Sequence, residues 1–246
     1  MAEGTIHLAK GETGRGRKER RRRPIDWRVL RTMVFAVLIL AAVPLLLVPL
    51  YAVANPPVST VMLWKGLGGA GITKEWADID AISPHLVRSV ISSEDARFCE
   101  HNGIDWVELE KALDDEDGRF RGASTITMQT VKNLFLWTGR DWVRKAAEAP
   151  LALYADAVLP KRRIVEIYLN IAEWDTGIYG AGAAAEHYFG VAAKDLSAAQ
   201  SARLAAILPS PETRDAAKPG PQTRRIAKRI AARAAQSGPY VACVLD

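Results

Sequence analysis

The chain has 246 residues, 49% hydrophobic and 25% charged, with two cysteines, which fits one or two globular domains and excludes a disordered, collagen-like or disulfide-stapled polypeptide. Its formal charge of +5 is uneven: residues 1–31 hold ten Lys/Arg against four Asp/Glu, leaving 23 against 24 in the rest. A surface that tracks phosphates would make the folded part basic, so nucleic acid is excluded as the main partner.

No charged residue lies between Arg31 and Lys65, and residues 32–53 are 22 apolar or weakly polar positions. A helix needs about 20 such residues to cross ~30 Å of hydrocarbon, and the stretch is longer than the apolar region of a cleaved signal. A retained transmembrane helix over 32–54 is expected, kinked at Pro44 and Pro49. The basic run at 15–23, followed by Arg28 and Arg31, flanks it on the N-terminal side. Lys/Arg excess marks the cytoplasmic flank, so residues 1–31 read as a cytoplasmic tail and the rest as lying outside the cytoplasm. Asn55, Pro56 and Pro57, then the glycines between Gly66 and Gly71, make 55–78 read as a linker. Cys99 and Cys243 are expected as two thiols, because a domain of this size needs no bridge.

From residue 79 to 246 the apolar spacing is helical. Ile82, Leu86, Val90 and Ile91 form one stripe, Trp106, Leu109 and Leu113 another, and Ile164, Ile167, Tyr168 and Ile171 a third. Ser197 reads as the cap of a helix that stops before Pro209, and 223–235 as a basic surface helix. The domain is therefore expected to be mostly α.

Four segments carry polar residues in patterns suited to chemistry. Glu94 and Asp95, with His101 and Gly103, form a paired acid whose pKa burial would lift towards that of a general base. Gly122 and Ala123 precede Ser124 or Thr125 as a helix cap, so backbone N–H groups face an incoming anion there, with Gln129 and Lys132 sharing a face beyond. Arg140, Arg144 and Glu148 fall at i, i+4 and i+8, two guanidinium groups and a carboxylate suited to a pyrophosphate leaving group. Asn170 and Glu173, three apart, are expected on one helix face, bracing the site or bonded to each other. The glycine spacing of a P-loop is absent, as are HExxH and CxxC, and His7, His85, His101 and His187 are scattered.

In order and wording these segments resemble the peptidoglycan glycosyltransferases, the lipid II polymerases. The pattern E-D-x-x-F-x-x-H-x-G is met by Glu94, Asp95, Phe98, His101 and Gly103; G-x-S-T-I-T-x-Q with K-N by Gly122 to Asn133; R-K-x-x-E by Arg144, Lys145 and Glu148; and E-x-Y-L-N by Glu166 to Asn170. The stretch after Pro211 is too short for a transpeptidase domain, so the resemblance is to the monofunctional enzymes. It implies a lysozyme-like α fold with a small membrane-facing jaw. Catalytic roles fall to Glu94, as general base, and Glu148; substrate contacts to Asp95, Phe98, His101, Ser124, Thr125, Gln129, Lys132, Asn133, Arg140, Arg144 and Lys145; structural support to Asn170 and Glu173. It further implies a divalent cation, Mg2+ or Mn2+, bound through Glu148, and lipid II, the growing lipid-linked glycan, the membrane and other cell-wall proteins as partners. The expected location is the bacterial inner membrane, crossed once, with the catalytic domain in the periplasm. The rival expectations are a lytic enzyme acting on finished glycan and a non-catalytic membrane-anchored scaffold.

Overall fold

A computed structural model describes Met1 and residues 26–69, 71–114, 124–139 and 141–246. The basic run at 15–23, Gly122, Ala123 and Arg140 lie outside the described residues. The chain divides into two units, Met1–Ala41 and Ala42–Asp246.

Helix α1 (Trp27–Leu50) runs through both units and continues across Pro44 and Pro49. At ~1.5 Å per residue it is long and apolar enough to cross a bilayer once, and Met33 to Leu40 are all exposed. Its last turns belong to the second unit: Val48 and Tyr51 are buried, and Tyr154 Oη donates to Leu45 O at 2.8 Å.

The second unit is mostly α. Residues 55–78 are more than a linker, for they carry helix α2 (Thr60–Leu67) and strand β1 (Thr73–Lys74). Ser59 caps α2 by accepting from Met62 N at 3.1 Å, Met62 is fully buried, and Thr60 Oγ1 donates to Asn133 O at 3.2 Å. Proline and glycine punctuation signalled a break in pattern but not the eight-residue helix inside it. A 3₁₀ turn (Ile79–Ala81) leads to α3 (Pro84–Glu94), capped by Ser83 with proline in its first turn, and then to α4 (Trp106–Leu113). Trp106, expected on a core stripe, is exposed.

Helix α5 (Ile126–Phe135) packs between α6 (Trp142–Val158) and α7 (Lys161–Ile171). α7 is the hub, with every residue from Ile167 to Ile171 buried. Strands β2 (Glu173–Asp175) and β3 (Ile178–Tyr179) complete a sheet of order β1-β3-β2, in which β1 runs parallel and β2 antiparallel to β3. Helix α8 (Ala181–Phe189) follows, then α9 (Ala198–Ile207), begun by a capping box between Ser197 and Gln200. Helix α10 (Pro221–Ala234) covers α3 and α9, and α11 (Gly238–Leu245) packs on α7 and α3.

That last contact overturns the expectation of two thiols. Cys99 and Cys243 form a disulfide across a sequence separation of 144, with Cα atoms 5.8 Å apart. Domain size argued only that a bridge was unnecessary. Docking of α11 is what brings the two sulfurs together.

Candidate active site

Glu94 is the last residue of α3, and the turn after it is locked by its neighbours. Asp95 Oδ2 accepts from Ile126 N at 2.9 Å, a carboxylate at the positive end of α5, while His101 Nε2 donates to Asp95 Oδ1 at 2.9 Å. Thr125 caps α5, accepting from Met128 N at 3.1 Å and donating to Gly103 O at 2.6 Å. Gly103 has φ +84°, and a Cβ there would lie 2.6 Å from Ala152 O, so no side chain fits where this turn meets α6. Phe98 is fully buried, with Lys161 Nζ 4.5 Å from its ring centroid. Asp95, Phe98, His101 and Thr125, expected to touch substrate, are buried in the frame that joins the end of α3 to the start of α5, with Asp95 and Thr125 also bordering the depression beside Glu94. Backbone donors that need a partner claim the short polar side chains nearest to them.

This frame brings Glu94 beside α5. Gln129 Nε2 donates to Glu94 Oε2 at 3.2 Å, and Tyr168 Oη, from α7, donates to Gln129 Oε1 at 3.1 Å. Burial raises the pKa of Glu94; the Gln129 hydrogen bond and the Lys132 charge oppose it without cancelling it.

One turn beyond Gln129, Lys132 points into a cavity of about 550 Å³ that it shares with Ser124, Asn133, Arg144, Lys145 and Glu148. The i, i+4 spacing expected of Arg144 and Glu148 holds on α6, started by Asp141, whose side chain accepts from Arg144 N at 2.8 Å. Glu148 is 2% exposed, paired with Arg144 Nη1 and accepting from Lys145 Nζ at 3.1 Å. Lys145 also donates to Ser124 Oγ at 2.7 Å. Three cations crowd one wall. Burial and the Arg144 charge lower the pKa of Lys132, and burial, with Arg144 and Lys132, takes Lys145 down to about 8. The buried Arg144 Nε has no acceptor among the described residues. Such a wall is short of negative charge, and an arriving anion would relieve it.

Glu94 opens onto a depression beside this cavity, and Ser124 borders both. The carboxylate and the cationic wall are therefore two parts of one cleft. Glu148 does not fit the expected role of metal ligand, since each of its oxygens already meets a cation. The buried trio of Asp95, His101 and Asp105 fits no better: both Asp95 oxygens are occupied, Asp105 Oδ1 accepts from Glu108 N, and its Oδ2 lies 3.7 Å from Arg97 Nε.

Asn170 and Glu173 do not share a helix face or bond to each other. Asn170 pairs with both backbone groups of Ala77 at 2.8 Å, tying α7 to the segment before α3. Glu173 lies on β2, where it meets Lys65 and accepts from Tyr179 Oη at 3.1 Å, because α7 ends at Ile171. Two cavity residues, Lys65 and Tyr168, are not among the predicted site residues. Lys65 falls in the stretch that reads as a linker, where it is the first charge after the apolar span; Tyr168 reads as part of an apolar stripe and is the tyrosine of the E-x-Y-L-N pattern, which marks the position but not the use of its hydroxyl.

The fold and the cleft are those of a glycosyl-transferring enzyme: the family described as Transglycosylase matches residues 64–235, and the chain belongs to it. The biosynthetic peptidoglycan transglycosylase of Rhodopseudomonas palustris strain TIE-1 is 54% identical over 214 residues, spanning 86% of this chain and 90% of that protein. Proteins of the same description from Nitrobacter winogradskyi (53% over 210 residues, 84% and 92% covered) and Brucella suis biovar 1 (53% over 211, 85% and 94%) are similarly alike. The mostly α domain is accordingly the lysozyme-like fold of a peptidoglycan glycosyltransferase.

Proposed function

We propose that this enzyme polymerises lipid II into glycan strands, with Glu94 as general base and Lys132, Arg144 and Lys145 as the clamp on the leaving group. The observation that carries the reading is the placement of one half-buried carboxylate, its pKa raised, beside a wall where Lys132, Arg144 and Lys145 share the single carboxylate of Glu148 and Arg144 Nε has no acceptor among the described residues. Glu94 takes the proton from the 4-hydroxyl of the acceptor sugar as that oxygen attacks C1 of the lipid-linked donor. The new O4–C1 bond forms with inversion, giving a β-1,4 linkage. The bond from C1 to the phosphate oxygen breaks, and its electron pair leaves on undecaprenyl diphosphate. The fixed cations stabilise that developing charge without reorganising. Glu148 keeps Arg144 and Lys145 in place as their buried counter-ion and is a positioning residue. Hydrolysis of finished glycan releases no diphosphate and gives the cationic wall no task. No step here runs through a divalent cation, because Glu148 has no free oxygen to offer it.

The substrates are membrane lipids, and the single apolar helix keeps the domain at high effective concentration beside them. Exposed Leu63, Trp64 and Leu67 on α2, with Trp137 at the cavity and Trp142 on α6, are side chains suited to a membrane–water boundary and supply the jaw. The basic residues before the span support an N-terminus in the cytoplasm and a domain in the periplasm, at the inner membrane. A disulfide fits that oxidising compartment.

The test is polymerisation of purified lipid II, read as glycan strands on a gel. Glu94→Gln is expected to lose at least about 100-fold in rate while keeping its fold. Near-normal strands from that variant would remove the base from Glu94.

A further inference from the structure

Gln129 stands between two groups that fix its orientation. Its Nε2 donates to Glu94 Oε2 at 3.2 Å, and its Oε1 accepts from Tyr168 Oη at 3.1 Å. Tyr168 is 2% exposed, rooted in α7, the most buried helix of the domain. Its ring belongs to the core, but its hydroxyl reaches the cavity, and nothing in the proposed chemistry uses it directly.

We propose that Tyr168 is a positioning residue for the base: by donating to Gln129 Oε1, it holds the amide with Nε2 turned to donate to Glu94. An amide free to turn serves either form of a carboxyl group, donating from Nε2 to the carboxylate or accepting at Oε1 from the protonated acid. Turning the amide over would leave the Tyr168 O–H without its acceptor, so the first arrangement is favoured and with it the ionised form of Glu94. Tyr168 is suited to this, since burial, with the charges of Glu94 and Asp95, holds its phenol well above the usual range, and it stays a donor wherever the enzyme works. The device opposes the burial that raises Glu94, keeping the base available near neutral pH.

Other charges also face Glu94. Lys132 approaches from α5, and Arg229 and Arg233 of α10 line the depressions it opens onto. Asp95 and Arg97 follow it in the chain, and Asp105 and Glu108 come from the start of α4. All of these are unchanged when only the Tyr168 hydroxyl or the Gln129 amide is altered, so a difference between such variants reports the amide.

The inference rests on Glu94 being the base, and the experiment separates the two. The pH dependence of kcat/KM for lipid II polymerisation is measured for the full-length protein in detergent, with Tyr168→Phe, Gln129→Met and the double variant, beside Glu94→Gln as the control. Tyr168→Phe is expected to move the acid limb up by about one pH unit, the scale of one hydrogen bond to a charged group. Gln129→Met is expected to move it at least as far, and the double variant no further than Gln129→Met. A merely structural role would lower the rate at every pH and leave the limb in place. An unmoved limb in Tyr168→Phe, or shifts that add in the double variant, overturns the relay while Glu94 stands as the base. An active Glu94→Gln overturns the reading beneath it. Should Tyr168→Phe fail to fold, Gln129→Met decides alone, an unmoved limb again being the refuting result.

Discussion

Reduction of the Cys99–Cys243 bridge is the perturbation with the largest effect away from the cleft. The bond closes a sequence separation of 144 residues and ties α11 to the segment between Phe98 and His101. On a chain-entropy argument a loop of this size is worth about 5 kcal/mol, and bridges in practice contribute about 2–4 kcal/mol. At about 2–4 °C per kcal/mol for a domain of this length, the midpoint of thermal unfolding should fall by roughly 5–15 °C in Cys243→Ser or in excess reductant. Cys243 is exposed, so reductant has access to it. The turn that carries Glu94 keeps its own ties from Asp95 to Ile126 and His101, so activity at low temperature should persist. The assay is thermal unfolding with and without reductant, beside mass spectrometry of non-reduced peptides. Alkylation of both cysteines in unreduced protein, or a midpoint that moves by less than about 2 °C, would refute the argument.

The geometry of the cleft and of its supporting turn makes two further outcomes measurable. The free enzyme's kcat/KM should fall on the alkaline side near pH 8, as Lys145 loses its proton and the clamp loses a charge; Lys145→Arg, whose guanidinium stays protonated, should carry the plateau past that point, and an identical limb in the variant would exonerate Lys145. Gly103→Ala should destabilise the domain by more than about 2 kcal/mol in denaturant unfolding, since it combines a left-handed φ with a Cβ 2.6 Å from Ala152 O, whereas Gly190→Ala, also left-handed but in open space, should cost only about 1 kcal/mol; equal losses would show that backbone conformation alone matters.

The apolar span, the mostly α domain and the chemistry-bearing segments were legible in the chain because each is a local property. Twenty-two apolar or weakly polar positions, a 3.6-residue period, the Ser197 cap, and the Arg144–Glu148 spacing are all set within a few turns of backbone. What depended on folding was the assignment of each polar side chain to a partner. Asp95, His101 and Thr125 read as substrate contacts, and folding gives each a partner in the frame as well: Asp95 accepts from the Ile126 N–H and from His101, and Thr125 donates to the carbonyl of Gly103, 22 residues away. Glu173 left the helix face because α7 stopped short of it, Lys65 reached the cavity because α2 folds where a linker was read, and the two cysteines met because α11 docks on α3 and α7. Burial decides which hydrogen bonds must be made, and burial is a property of the packed chain as a whole.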